Sequence, residues 1–151
     1  MPNVIVSDTS CLILFYKIGE FDLLKKVFGK LQITKTVQKE FNQSIPDWIE
    51  IVEPNTDLQK GLISNLDKGE ASAIALASEH DNSLLIIDEI KGRKVAKEMG
   101  ISVTGSLGVL IAAKNRGHIQ NVKPFIDKIQ QTTFRISKEL IERLLENVNE
   151  S

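Results

Sequence analysis

One cysteine, Cys11, occurs in 151 residues. No intrachain disulfide is available, so the fold must rest on its core, and a reducing cytoplasm is the expected setting. Beside Leu12-Ile13-Leu14 this thiol is expected to be a small buried side chain. No apolar run approaches the ~18 residues needed to cross a bilayer. Met1-Pro2 leads straight into a strand-like segment without a basic leader or cleavage site, so export is not expected. The only two histidines, His80 and His118, lie far apart with no cysteine near them. That spacing argues against a zinc site and leaves both as surface residues at helix ends. A Gly-rich phosphate loop, a dinucleotide fingerprint and an Asp-x-Asp pair are all missing, which ranks other phosphoryl-transfer α/β enzymes low. Neither charge sign dominates, with 19 Lys and Arg against 20 Asp and Glu and a net charge of −1. A broadly basic nucleic-acid-binding surface is therefore not indicated. Carboxylates gathered around divalent cations would nevertheless reverse the local field.

Two short apolar runs each end on an aspartate: Val4-Ile5-Val6-Ser7-Asp8 and Leu84-Leu85-Ile86-Ile87-Asp88. Runs this short, without alternation, read as strands buried on both faces of a parallel sheet. Ligand sites in such sheets lie beyond the carboxyl ends of the strands. Two acids at that edge suggest a place for a cation. Elsewhere strand and helix signals alternate. Helices are expected over 10–17 and 21–28, with breakers at Gly19 and Gly29. A strand over 31–34 precedes a helix capped by Thr36. After Pro46 comes a short strand or extended link over 49–52, then short helix 57–66. An alanine-rich helix opens at Asp67-Lys68-Gly69-Glu70 and runs to about His80. Helix 91–99 ends at Gly100, strand 101–103 follows, and helices to 115 or 116, over 122–130 and over 137–147 close the chain. Strands separated by helices imply right-handed crossovers. The expected fold is α/β: one domain over 1–151, with a parallel sheet of about four to five strands and helices on both faces. A chain of this length buries roughly 70% of its unfolded surface.

Each acid has a structural rival. Asp8, before Thr9-Ser10, is either a helix N-cap or a carboxylate at the strand edge with hydroxyls as further oxygen ligands. Asp67-x-x-Glu70 matches an acid-capped capping box. The small residues Ala71, Ala73, Ala75 and Ala77 would also let that helix lie close to the sheet and bring Glu70 over its edge. Asp88 or Glu89 could cap the next helix. Glu40 lies on the helix after the second strand, where most glutamates are solvated. Two carboxylates 4 Å apart repel by about 4 kcal/mol at an effective dielectric of 20, so clustering acids calls for a metal or a proton. Hard oxygen ligands select Mg²⁺ or Mn²⁺.

The set Val-Ser-Asp8-Thr-Ser, Thr-Val-Gln-Lys-Glu40-Phe, Gly69-Glu70-Ala-x-Ala-Ile and Ile-Ile-Asp88-Glu-x-x-Gly-Arg resembles the PIN-domain nucleases. The stretch from Asp88 through Gly100 to Val103-Thr104-Gly105-Ser106-Leu107-Gly108 is similar to a prokaryotic PIN-like branch. The likeness spans about residues 3–145. It implies a parallel sheet flanked by helices and metal-dependent cleavage of RNA, or sometimes DNA. It also implies kinship with toxins of the VapC type that pair with an antitoxin. Position by position, Asp8, Glu40, Glu70 and Asp88 match the metal-binding acids for one or two Mg²⁺ or Mn²⁺ ions. Where many relatives carry a further acid, this chain has Thr104-Gly105-Ser106, so a hydroxyl replaces a carboxylate. Thr9, Ser10, Glu89, Thr104 and Ser106 would support the site, and Arg93 with Lys91 would hold substrate phosphate. For those bases the alternative is a solvated helix face.

Two classes of function follow. One is a metal-dependent endoribonuclease, the toxin of a toxin–antitoxin pair. The other is a catalytically weak or silent module that binds nucleic acid or protein. Leu12, Ile13, Leu14, Phe15, Tyr16, Ile18, Phe21, Leu23 and Leu24 make the early helices more apolar than one core stripe requires. That excess means either burial from several sides or a homodimer or antitoxin surface.

Overall fold

Val4–Ser7 forms strand β1, and every residue of it is at least half-buried. In the computed structural model, which describes residues 2–55, 57–62 and 66–150, β1 is the middle strand of five. The others are β2 (Leu31–Ile33), β3 (Ile49–Ile51), β4 (Ser83–Ile86) and β5 (Ser102–Thr104). Their order is β3-β2-β1-β4-β5 and every pairing is parallel. The expected parallel sheet is present, and the 49–52 segment is a strand.

Side chains from alternate strand positions enter two separate cores. Ile5, Ile33, Leu31, Ile49 and Ile86 pack with helices α1 (Thr9–Lys17), α2 (Asp22–Phe28) and α3 (Lys35–Phe41). Helices α7 (Ser106–Asn115), α8 (Lys123–Gln130) and α9 (Lys138–Asn147) join the same core. Val6, Leu85 and Ile87 pack instead with α5 (Lys68–Ser78) and α6 (Ile90–Glu98). Helices thus cover both faces, as the unalternated apolar runs require. On α5 the residues Ala71, Ala73, Ala75 and Ala77 have no exposed surface, so the helix backbone lies close to its neighbours.

One expectation changes, one is met only in part among the described residues, and one open alternative resolves. Thr34, not Thr36, caps α3: its hydroxyl accepts from the Val37 N–H at 3.1 Å. Helix α4 covers Leu58–Leu62, and residues 63–65 of the expected 57–66 helix lie outside the described residues. The apolar excess of α1 and α2 is largely consumed in the core: Leu12, Leu14, Phe15, Ile18, Leu23 and Leu24 are buried, while Tyr16 is exposed. Cys11 is buried as expected. His80 is half-buried just after α5 and His118 is exposed just after α7. No helix among the described residues is long and apolar enough to cross a membrane.

Candidate active site

In the order β3-β2-β1-β4-β5 the crossovers change direction between β1 and β4, which creates a crevice at their carboxyl ends. Both strand-ending aspartates sit there. The register aligns Ser7 with Ile86, and the Asp8 N–H donates to the Ile86 carbonyl at 2.9 Å. On the far side the Ile87 N–H donates to the Thr104 carbonyl at 2.8 Å. Backbone pairing therefore sets Asp8, Asp88 and the 104–106 corner side by side.

Asp8 stands at the N-cap position of α1, yet its side chain makes no capping bond. The residue is 3% exposed, and burial raises its pKa from 3.8 to about 7. The Thr9 backbone N–H opposes that rise, while the charges of Glu70, Asp67 and Glu40 add to it. Glu40, though exposed, is drawn inward by the Thr9 hydroxyl, which donates to its Oε1 at 2.6 Å. That carboxylate rests on Gly69, where a β-carbon would stand 2.1 Å from Oε1. Glu70 is buried and completes a capping box: its N–H donates to Asp67 at 2.8 Å, and its Oε1 accepts from the Asp67 N–H at 3.3 Å. Burial also lifts its pKa, with Asp67 and Glu89 adding their charge. The cap and the acid cluster are the same carboxylate.

Neither Asp88 nor Glu89 caps α6. Asp88 turns instead to Ser106, accepting from its backbone N–H and its hydroxyl, both at 2.7 Å. Arg93 donates from Nη1 to the Ile87 carbonyl at 3.4 Å. This Nη1 and Asp88 Oδ1 lie 2.6 and 2.7 Å from where a β-carbon on Gly105 would stand. Gly105 is needed for space, since its backbone is extended. Cys11 feels both Asp88 and Asp8, and burial pushes its thiol well above the thiolate range. It is a packing residue beneath the site.

The structure thus links Asp8, Thr9, Glu40 and Glu70 on one side, and Asp88, Ser106 and Arg93 on the other. Glu89 acts on Glu70 only through its charge. Ser10 and Lys91 are exposed and hydrogen-bond to none of these acids among the described residues. The Thr104 hydroxyl leans onto Gly108 of α7. Sequence reasoning missed Asp67 as a source of charge and Gly69 and Gly105 as spacers. The signal for the glycines was their place beside an acid or just after a strand. A cavity of about 730 Å³, lined by Val4, Gln32, Trp48 and Glu50 among others, opens near the amino ends of the strands and is lined by none of Asp8, Glu40, Glu70 and Asp88.

The donors are all oxygens, as Mg²⁺ or Mn²⁺ prefers. Among the described residues, no lysine or arginine forms an ion pair with Asp8, Glu40, Glu70 or Asp88. A carboxyl raised to a pKa of about 7 by burial, with neighbouring acids adding to the rise, is the electrostatic counterpart of a cation-binding edge. Among the described residues no three His, Cys, Asp or Glu side chains converge closely enough to hold an ion together. The residues fit a site of one or two direct carboxylates completed by water, the habit of Mg²⁺. They do not form a closed cage.

A family model described as a PIN domain matches residues 4–150, and PIN domains are generally nucleases. Comparison with curated proteins and with solved structures gave no match. Matched from β1 to beyond α9, and carrying its acids at the switch point of a parallel five-stranded sheet, the chain belongs to the PIN-domain family.

Proposed function

We propose that this protein is a metal-dependent endoribonuclease and the toxin of a toxin–antitoxin pair. One observation carries the reading: Asp8, buried at the carboxyl edge of the central strand, lies within the fields of Glu70, Asp67 and Glu40 with no cationic partner among the described residues. Asp8 and Asp88 would hold Mg²⁺ or Mn²⁺, with Glu70 and Glu40 as direct or water-mediated ligands. When bound, the ion supplies an activated water and neutralises phosphodiester charge in an in-line displacement. The chain's own residues do the positioning. Ser106 fixes the orientation of Asp88, Thr9 fixes Glu40, and the capping box holds Glu70 in place. Arg93, half-buried beside Asp88, is placed to meet a phosphate oxygen, and exposed Lys91 contributes positive charge at the rim.

The test is cleavage of single-stranded RNA with Mn²⁺, with EDTA, and by Asp8→Asn. Activity in the first and loss in the other two is expected; cleavage unchanged by Asp8→Asn overturns the proposal. The absence of three converging ligands favours a second reading, a weak or silent PIN domain that binds without cutting. Calorimetry showing no Mn²⁺ uptake at millimolar concentration would decide for it. The toxin reading further expects a homodimer and a co-purifying antitoxin, and sedimentation as a lone monomer counts against both.

A further inference from the structure

Residues Ser10, Ile13, Leu14 and Lys17 fall at helical spacing along one face of α1. That face starts two residues after Asp8 and runs about 10 Å away from it. The α8–α9 connection faces it, and the two enclose a groove of about 300 Å³ completed by Thr132, Thr133 and Phe134. The far wall is fixed in place: the Thr132 hydroxyl donates to the Ile129 carbonyl at 2.6 Å and accepts from the Phe134 N–H at 3.1 Å. Phe134 is half-buried, packing partly against the core around Ile129 and Ile136. Ile13 and Leu14 supply an apolar floor.

The polar groups of the groove have a consistent sign. Lys17 is exposed, closes its far end and forms no ion pair among the described residues. No acidic side chain lines the groove. Ser10 and Thr133 bring hydroxyls. An apolar floor with an aromatic wall, two hydroxyls and one cation matches a nucleobase, its ribose and a phosphate. The volume suits one unstacked base.

We propose that this groove seats one nucleotide of a single-stranded RNA next to the scissile phosphate, with Phe134 stacking its base and Lys17 meeting its phosphate. The inference rests on the ribonuclease reading and adds a specificity subsite to it. A short fluorescein-labelled single-stranded RNA, titrated against the full chain in EDTA so that nothing is cut, reads binding apart from catalysis. Phe134→Leu, which keeps the apolar fill, should weaken binding about tenfold while Phe134→Tyr restores it. Lys17→Gln should weaken binding severalfold and lower the slope of log affinity against log salt by about 0.7. In Mn²⁺ both Phe134→Leu and Lys17→Gln should raise KM more than they lower kcat. Unchanged affinity, salt slope and KM in these variants overturns the subsite while leaving the Asp8-dependent ribonuclease standing. Loss of a co-expressed partner chain with RNA affinity unchanged assigns the groove to protein and overturns the subsite as well. Wild-type protein that neither binds nor cuts RNA overturns both readings.

Discussion

Asp8 couples the chemistry of the site to the stability of the fold. In metal-free protein its carboxyl titrates near 7 rather than 3.8. The folded state keeps this proton where the unfolded chain has released it. Stability therefore falls as pH rises from about 4 to about 7 and stays low above, by on the order of 4 kcal/mol. In EDTA at pH 8, Asp8→Asn should raise Tm by roughly 8–16 °C, and the gain should vanish near pH 4, while in Mn²⁺ the same variant should not cleave RNA. A gain independent of pH would contradict this origin. Gly105→Ala should fail differently, since its β-carbon would meet Arg93 Nη1 and Asp88 Oδ1 below 3 Å. Both Tm and kcat should drop, by contrast with Gly61→Ala, which meets nothing within 4 Å. The aspartates were legible in the sequence because a strand buried on both faces ends visibly where its first acid appears. Gly105 and Gly69 were not, because the atoms that crowd them belong to other elements: Arg93 and Asp88 for one, Glu40 for the other.

At the scale of elements, α3 and α5 hold the site through their starts. Thr34 caps α3 and also shares a 2.7 Å hydrogen bond between its hydroxyl and that of Ser72 on α5. One side chain thus ties the helix bearing Glu40 to the helix bearing Glu70. Thr34→Ala should cost about 1–2 kcal/mol, lowering Tm by several degrees, whereas Thr36→Ala should change it little. Differential scanning calorimetry on the two variants decides between them. The sequence pointed to Thr36 because both threonines are sound caps and only the actual strand end chooses. Helix α5 makes the second case. Its alanines are wholly buried, so the added bulk of Ala73→Leu must be taken up inside the core and should destabilise by about 1–3 kcal/mol through overpacking. The capping box at its start was read from spacing alone and is present. That Glu70 also enters the field of Asp8 needed the crossing of α5 over the sheet, which no local pattern encodes.

For the molecule as a whole, the near-neutral net charge conceals an uneven distribution: carboxylates gather at the sheet edge, while the adjoining face of α1 carries Lys17, without an ion pair among the described residues, and hydroxyls. Because the acids repel in the absence of a cation, Mn²⁺ at a hundredfold excess over Kd should stabilise the fold by about 2.7 kcal/mol, a Tm increase of roughly 5–10 °C. Thermal denaturation with and without Mn²⁺ measures it, and Asp8→Asn should remove the effect. The class of fold was readable from alternating strand and helix signals. The strand order was not, since apolar runs state that a strand is buried but not which neighbour buries it. That order has a temporal consequence. During synthesis β1 emerges first, yet its partner β4 begins at Ser83, and the Ser106 that orients Asp88 comes later still. A ribosome-bound chain holding only the first half therefore carries Asp8, Glu40 and Glu70 but neither β4 nor Asp88, and so no crevice. Non-local parallel pairing is intrinsically slow to form. The crevice thus forms only once most of the chain is free of the ribosome, so the acids on its two sides meet late in synthesis.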